Sequence, residues 1–269
     1  MHIFKETRRA FRLFRIFAAQ HLKKLMEYKV DFITGAVSFM LDQIVNIAFL
    51  TIIFTGIDNL KGWSYYEILF IYGFSLLPKG LDHLFCDNLW NVAYNIVRKG
   101  DFDKYLTRPI SPLLHVTVEI FQVDSLGELI VGIALIVVSA GNIDMAARWY
   151  DIPLVLIAVL FGMLIYTSIK IILASIAFWT KQSGHIINMV YGMNDFAKYP
   201  VEIYSKAVRN GITYIIPFAF TAFYPASYLI RHTNPLFSIG GTVIAGCVLF
   251  AIGLIVWHRG LNAYESAGS

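Results

Sequence analysis

The sequence predicts an all-α, polytopic membrane protein. Three observations carry this. Apolar residues gather into runs of about 20, the length that crosses about 30 Å of hydrocarbon as a helix. Runs such as VDFITGAVSFMLDQIVNIAFLTIIFTG (30–56) are continuous rather than alternating, which excludes a transmembrane barrel. Only 15% of the 269 residues are charged, 57% are hydrophobic, and the mean hydropathy is +0.62. A soluble domain of this length carries nearer a quarter charged residues. Finally, the formal charge of +4 hides a clustering: eight of the 22 Lys and Arg lie in residues 1–29. No large soluble domain fits in the remainder, so the chain divides into an N-terminal segment, 1–28, and a membrane domain, 29–269.

The elements follow in order. Residues 4–27 are helical by pattern. Phe11, Phe14, Ala18, Leu22 and Leu25 recur at steps of three and four, opposite Lys5, Arg8, Arg9, Arg12, Lys23 and Glu27. A basic face against an aromatic one describes a helix lying in the membrane surface on anionic lipid. The segment lacks the uninterrupted apolar core and small-residue site of a signal peptide. Spans are expected at about 30–56, 65–97, 112–140, 151–180 and 237–257. The third begins Ser111-Pro112, a good N-cap followed by proline at the first helical position. Cys86 and Cys247 both fall inside predicted helices and need no partner.

Between 184 and 231 two readings compete. GHIINMVYGMNDFAKYPVEIY is a weak span. GITYIIPFAFTAFYPASYLI is strongly apolar but holds Pro217 and Pro225. Counting both gives seven spans and termini on opposite sides; counting one gives six, with both termini on one side. Prolines eight residues apart suggest two short helical pieces, tolerated at membrane depth only where protein satisfies the backbone. Lys and Arg fix the orientation. The N-terminal segment carries eight and residues 98–111 carry four, whereas the alternate connections carry one each, Lys61 and Arg148. The N-terminus and residues 98–111 are therefore expected in the cytoplasm.

The stretch RKGDFDKYLTRPISP (98–112) is too elaborate for a linker. Gly100 is a helix stop, and Asp101 is placed to cap a new short helix, DFDKYL. On it Phe102, Tyr105 and Leu106 share one face, while Asp101 and Asp103 sit at the end where the helix dipole favours negative charge. Arg108 precedes proline and leaves the helix. The expectation is a short, stiff helix presenting aromatic knobs to a cytoplasmic partner. This run resembles the first cytoplasmic loop of the type-2 ABC exporter permeases, and the resemblance extends over nearly the whole chain. The basic N-terminus is similar to their connecting helix. The stretch KYPVEIYSKAVRNGITYIIPFAFTAFYPASYLIRH is similar to their fifth-span exit and extracellular re-entrant hairpin.

The resemblance implies six spans in a multi-pass protein of the bacterial plasma membrane, with 184–204 the fifth span, 207–231 the hairpin and both termini cytoplasmic. It implies a dimer with a second permease, identical or related. It also implies an ABC ATPase docked on Phe102, Tyr105 and Leu106, with Asp101, Asp103, Lys104 and Arg108 around them. The chain has no G-x-x-x-x-G-K-[ST] with which to cradle phosphates. ATP and Mg are therefore expected on the partner, and neither enzymatic activity, a cofactor nor nucleic acid is expected on this chain.

Ionisable residues inside spans are expensive and functional by default. Lys79, His83, Asp87 and Asn91 recur every four residues, with Asp82 adjacent. Asp124 and Glu128 are four apart; Asn188, Tyr191, Asp195 and Lys198 form a further stripe at steps of three and four; Asp42 stands alone. The functional reading lines a translocation path with Lys79, His83, Asp124, Glu128, Asn188 and Asp195. The bland reading pairs Lys79 with Asp82 and His83 with Asp87 on one helix, or leaves residues at the interface because the second span, at about 33 residues and roughly 50 Å, overruns the bilayer. The pairs His83/Asp87 and His115/Glu119 have no third ligand at matching spacing, so no metal is expected. Tyr199, Tyr204, Lys206 and Arg209 form an aromatic-basic patch able to hold a lipid or glycan phosphate, although such residues are common at membrane interfaces. The alternative to an ATP-driven permease is a gradient-driven transporter or channel with Lys79, Asp124 and Asp195 as relay groups.

Overall fold

The computed structural model describes residues 29–145 and 148–266. Every element among them is helical, and the one β-bridge among the described residues is the isolated one between Leu60 and Trp63. The amphipathic segment expected at 1–28 lies outside the described residues.

Helix α1 is Lys29–Gly56. Helix α2, Tyr65–Cys86, starts with a capping box: the Glu67 amide donates to Ser64 Oγ, and the Ser64 amide to Glu67 Oε2. Its path continues through Asn88–Asn91 and a π-helical turn, Val92–Ile96. It stops at Gly100, whose φ of +77° lies in the left-handed region that favours glycine. Short helix α3, Asp103–Leu106, and α4, Pro112–Glu119, follow. The continuous third span expected over 112–140 is broken. Ile120 is extended, and the Gln122 amide donates to the Leu84 carbonyl at 3.2 Å, pinning the break against α2. Helix α5, Leu126–Ala140, then runs back along α2.

Helix α6 spans Asp151–Ser175 and is prolonged by Ala177–Thr180. Helix α7, Gly184–Gly192, gives way to 3₁₀ turns at Met193–Lys198 and Val201–Ile203. Two short limbs, Lys206–Ile215 and Phe218–Arg231, then meet at 72°. Pro217 sits in the corner, and Pro225 falls in the first turn of α8, Phe223–Arg231, where a missing amide is harmless. Helix α9, Gly241–Ala263, completes the bundle against α6.

Among the described residues four helical stretches are long and apolar enough to cross a membrane, Ile33–Gly56, Val123–Ala140, Asp151–Thr180 and Leu236–Ala263; the bent pair, taken as one span, supplies a fifth. Helix α2 has 22 residues but carries Glu67, Lys79 and Asp82. The helices pack closely where side chains are small. A Cβ on Gly73 of α2 would come within 2.8 Å of Leu135 Cβ and 2.9 Å of the Gly132 carbonyl on α5. This is the small-residue contact by which membrane helices approach.

The connection 57–64 and residues 141–145 lie at one end of the bundle. There Arg231 donates to Glu67 Oε1 (2.9 Å) and the Gly62 carbonyl (2.7 Å), and its guanidinium stacks 3.4 Å over Trp63. Residues 98–111 lie at the other end, where a second apolar cluster gathers Leu89, Val92, Phe102, Tyr105, Phe178 and Trp257.

Candidate functional site

Two constructions stand out: the sealed helix α3 at one end, and a polar cluster inside the bundle.

Helix α3 differs from the expectation at two points. It begins at Asp103, with no side-chain cap from Asp101 or Phe102. Phe102 and Tyr105 are also fully buried within this chain and present nothing outward. The physical reason is a ready-made aromatic socket. Phe102 meets Phe178 at 4.8 Å, Tyr264 at 5.3 Å and Trp257 at 6.0 Å, while Tyr105 meets His115 at 4.8 Å. Burying two aromatic rings at this end outweighs leaving them in water, since each removes 150–250 Å² on the usual scale. Asp101, Lys104, Leu106 and Arg108 remain exposed, with Leu106 at 46%.

Polar groups complete the attachment. The Tyr105 hydroxyl donates to Glu119, and Lys104 Nζ lies 3.3 Å from the same carboxylate. Arg108 Nη1 lies 3.0 Å from His115 Nε2. Asp103 accepts from the Tyr264 hydroxyl (3.0 Å) and Ser266 Oγ (2.5 Å), so the segment after α9 is clipped to α3. These contacts move protonation. Burial pushes the Tyr264 phenol up, reinforced by the Asp103 carboxylate, to about 12. Burial and then the Glu119 bond raise Tyr105 well above the phenol range. Burial would raise Glu119, but the Tyr105 hydroxyl and Lys104 outweigh it and hold it below the usual carboxylate value. Burial lowers His115, helped by Arg108 and Lys104 against the opposing pull of Glu119.

The polar cluster joins four helices. Lys170 of α6 is wholly buried and bridges Asp82 Oδ2 (2.8 Å) and Asp87 Oδ1 (2.9 Å), both on or just past α2. Thr167 Oγ1 donates to Asp82 Oδ1 at 2.8 Å, and the Tyr191 hydroxyl of α7 to Asp82 Oδ2 at 2.8 Å. The Tyr191 oxygen also lies 3.1 Å from His83 Nε2, and His83 Nδ1 lies 3.1 Å from Glu128 Oε1 of α5. Lys79 approaches the same oxygen at 3.9 Å. An isolated buried charge costs several kcal/mol, and opposite charges at about 3 Å with full hydrogen bonding are the arrangement that offsets it.

The structure brings together three of the six path residues: Lys79, His83 and Glu128. The same-helix pairs Lys79/Asp82 and His83/Asp87 do not form; each side chain turns to a neighbouring helix instead. Asp124 sits half-buried at the break before α5, accepting from Gln122 at 3.0 Å. Asn188 and Asp195 are exposed, Asp195 paired at 2.8 Å with Lys198. The expected stripe on the fifth span is therefore split, with Tyr191 turned inward, Asn188 and Asp195 outward, and Lys198 mostly buried over the Tyr72 ring. In the patch beyond it, the Tyr204 hydroxyl donates to the Phe196 carbonyl at 3.2 Å, Tyr199 is half-buried, and Lys206 and Arg209 share the short helix Lys206–Asn210. Sequence reasoning missed Lys170. Its signal was present: it is the single Lys or Arg in a 25-residue apolar helix.

An apolar bundle whose helices are long enough to cross a bilayer several times is a multi-pass membrane protein. The chain belongs to the ABC-2 family: residues 23–268 match the ABC-2 family transporter proteins. No curated protein matches it.

Proposed function

We propose that this chain is the permease subunit of an ATP-driven exporter in a bacterial plasma membrane, working as a dimer with an identical or related permease. A separate ABC ATPase carries ATP and Mg and docks on α3. The six spans of this reading are α1, α2, α5, α6, the broken segment 184–203 and α9. The bent pair 206–231 is the re-entrant hairpin on the outer face, and its Lys206 and Arg209, with Tyr199 and Tyr204 just before it, meet the phosphate of a lipid or glycan. Both termini and residues 98–111 are cytoplasmic.

The single observation that supports this best is the seating of α3. A helix of one turn has no stability of its own, yet this one is held by aromatic contacts and ion pairs to α4, α9 and the extension of α6. A push on its exposed rim, Leu106 with Asp101, Lys104 and Arg108, passes to those helices as a rigid body. Phe102 and Tyr105 transmit the push, and Asp103 ties it to the end of α9. The path between the two permeases is lined from Lys79, His83 and Glu128, with Asp124, Asn188 and Asp195 toward its edges.

The test is purification of the tagged chain from native membranes in mild detergent. A Walker-type ATPase recovered at about one to one supports the reading. Folded chain recovered alone, even after crosslinking, overturns it in favour of a gradient-driven transporter.

A further inference from the structure

The His83 ring sits between two acceptors. Nδ1 lies 3.1 Å from Glu128 Oε1, and Nε2 lies 3.1 Å from the Tyr191 oxygen. Tyr191 has one hydroxyl hydrogen, and it points at Asp82 Oδ2, 2.8 Å away. It cannot serve His83 as well. A neutral imidazole has one N–H and one bare nitrogen, so it satisfies one side and sets a lone pair against an acceptor on the other. An imidazolium donates to both.

The charge count agrees. Three carboxylates, Asp82, Asp87 and Glu128, face two ammonium groups, Lys79 and Lys170. One further positive charge makes the cluster neutral, which a low-dielectric interior favours. We propose that the His83–Glu128 contact is a proton-binding site in the bundle, holding one proton as an imidazolium–carboxylate pair that joins α2 to α5.

The groups facing His83 from each packed element are accounted for. On α2 they are Lys79, Asp82 and, past its end, Asp87. From α5 comes Glu128, from α6 Lys170, and from α7 the phenol of Tyr191, while Asp124 in the turn before α5 is turned to Gln122 instead. The site is at the accessible edge of the cluster: Lys170 and Asp82 have no exposed side-chain surface, whereas His83 retains 21% and Lys79 18%. Glu128 Oε2 is buried with no hydrogen-bond partner, so this carboxylate leans on the His83 side for its compensation. Any movement that parts α5 from α2 withdraws Glu128 from His83 and takes away the carboxylate that holds the proton there. This inference stands independently of the ATPase.

The test is ¹⁵N-histidine NMR of the full chain in lipid nanodiscs at pH 7, with His83→Gln to assign the signal among the seven histidines. The expected result is two protonated ring nitrogens at His83 in the wild type and loss of one in Glu128→Gln. A single ring proton at His83 in the wild type overturns the proposal even where Glu128→Gln does not accumulate. Two ring protons that persist in Glu128→Gln overturn the role of Glu128.

Discussion

At the residue scale the cluster turns on Lys170. Its ammonium is the only cation within ion-pair distance of Asp82 and Asp87 among the described residues. Lys170→Met keeps the stem's bulk but strands two carboxylates, and breaking a buried pair from one side costs about 3–5 kcal/mol. Thermal unfolding in detergent should show a large loss, with Asp82→Asn in the same chain recovering part of it through a coupling of about 1 kcal/mol or more. A double-variant loss equal to the sum of the two single losses would mean that Lys170 and Asp82 do not act together. Lys170 was legible in the sequence as a cost that something had to offset. Its partners were not. Spacings of three and four along α2 suggest same-helix pairs, but a buried helix face points its long side chains at neighbouring helices. Only the packing decides that Lys79 and His83 turn to α5 while Asp82 and Asp87 turn to α6.

At the element scale, two attachments make predictions. The α2–α5 contact rests on Gly73 against Gly132. Gly73→Ala places a methyl where rigid backbone and Leu135 Cβ already stand, so the helices must part, at about 1–3 kcal/mol for overpacking. Gly56→Ala is the control: its Cβ meets nothing within 4 Å, and the change should stay within about 0.5 kcal/mol. The α3–α4 attachment predicts a pH dependence. His115 is lowered in the folded state, so its contribution is full above its ordinary value near 6.5 and weakens as pH falls below it. Glu119 is also lowered, so its contribution is full above about 4.3 and is lost as pH falls toward its folded value. Hydrogen exchange at residues 100–119, corrected for intrinsic rate, should therefore speed up from pH 7.5 to pH 5.5 and further toward pH 4; protection unchanged across this range would contradict both assignments. Gly100 and the stop it makes were readable, because only its φ requirement was at stake. The break at 120–122 was not, because nothing local forbids helix there: the Leu84 carbonyl of another helix holds it open.

At the scale of the whole molecule, composition and apolar run length gave the fold class, and the run RKGDFDKYLTRPISP gave the family. What they could not give is which side of α3 faces out. Phe102, Tyr105 and Leu106 share a face by spacing, and an aromatic face reads equally as a docking surface or as an anchor. Phe178 and Trp257, about 75 and 155 positions away in sequence, decide that two of the three are anchors. The consequence is a division of labour that single substitutions can separate. Phe102→Ala empties a sealed aromatic socket and should destabilise the chain by about 3–5 kcal/mol, seen as a lower unfolding temperature in the isolated permease. Leu106→Ala removes an exposed side chain and should leave that temperature almost unchanged while reducing ATPase recovery in the purification. Were the aromatic pair itself the docking surface, the pattern would invert: Phe102→Ala would spare stability and abolish recovery, and Leu106→Ala would do little. Because stability is read on the permease alone and recovery on the complex, the two outcomes cannot be mistaken for one another. The contrast also asks whether the force of a partner enters this bundle through its rim or through its core.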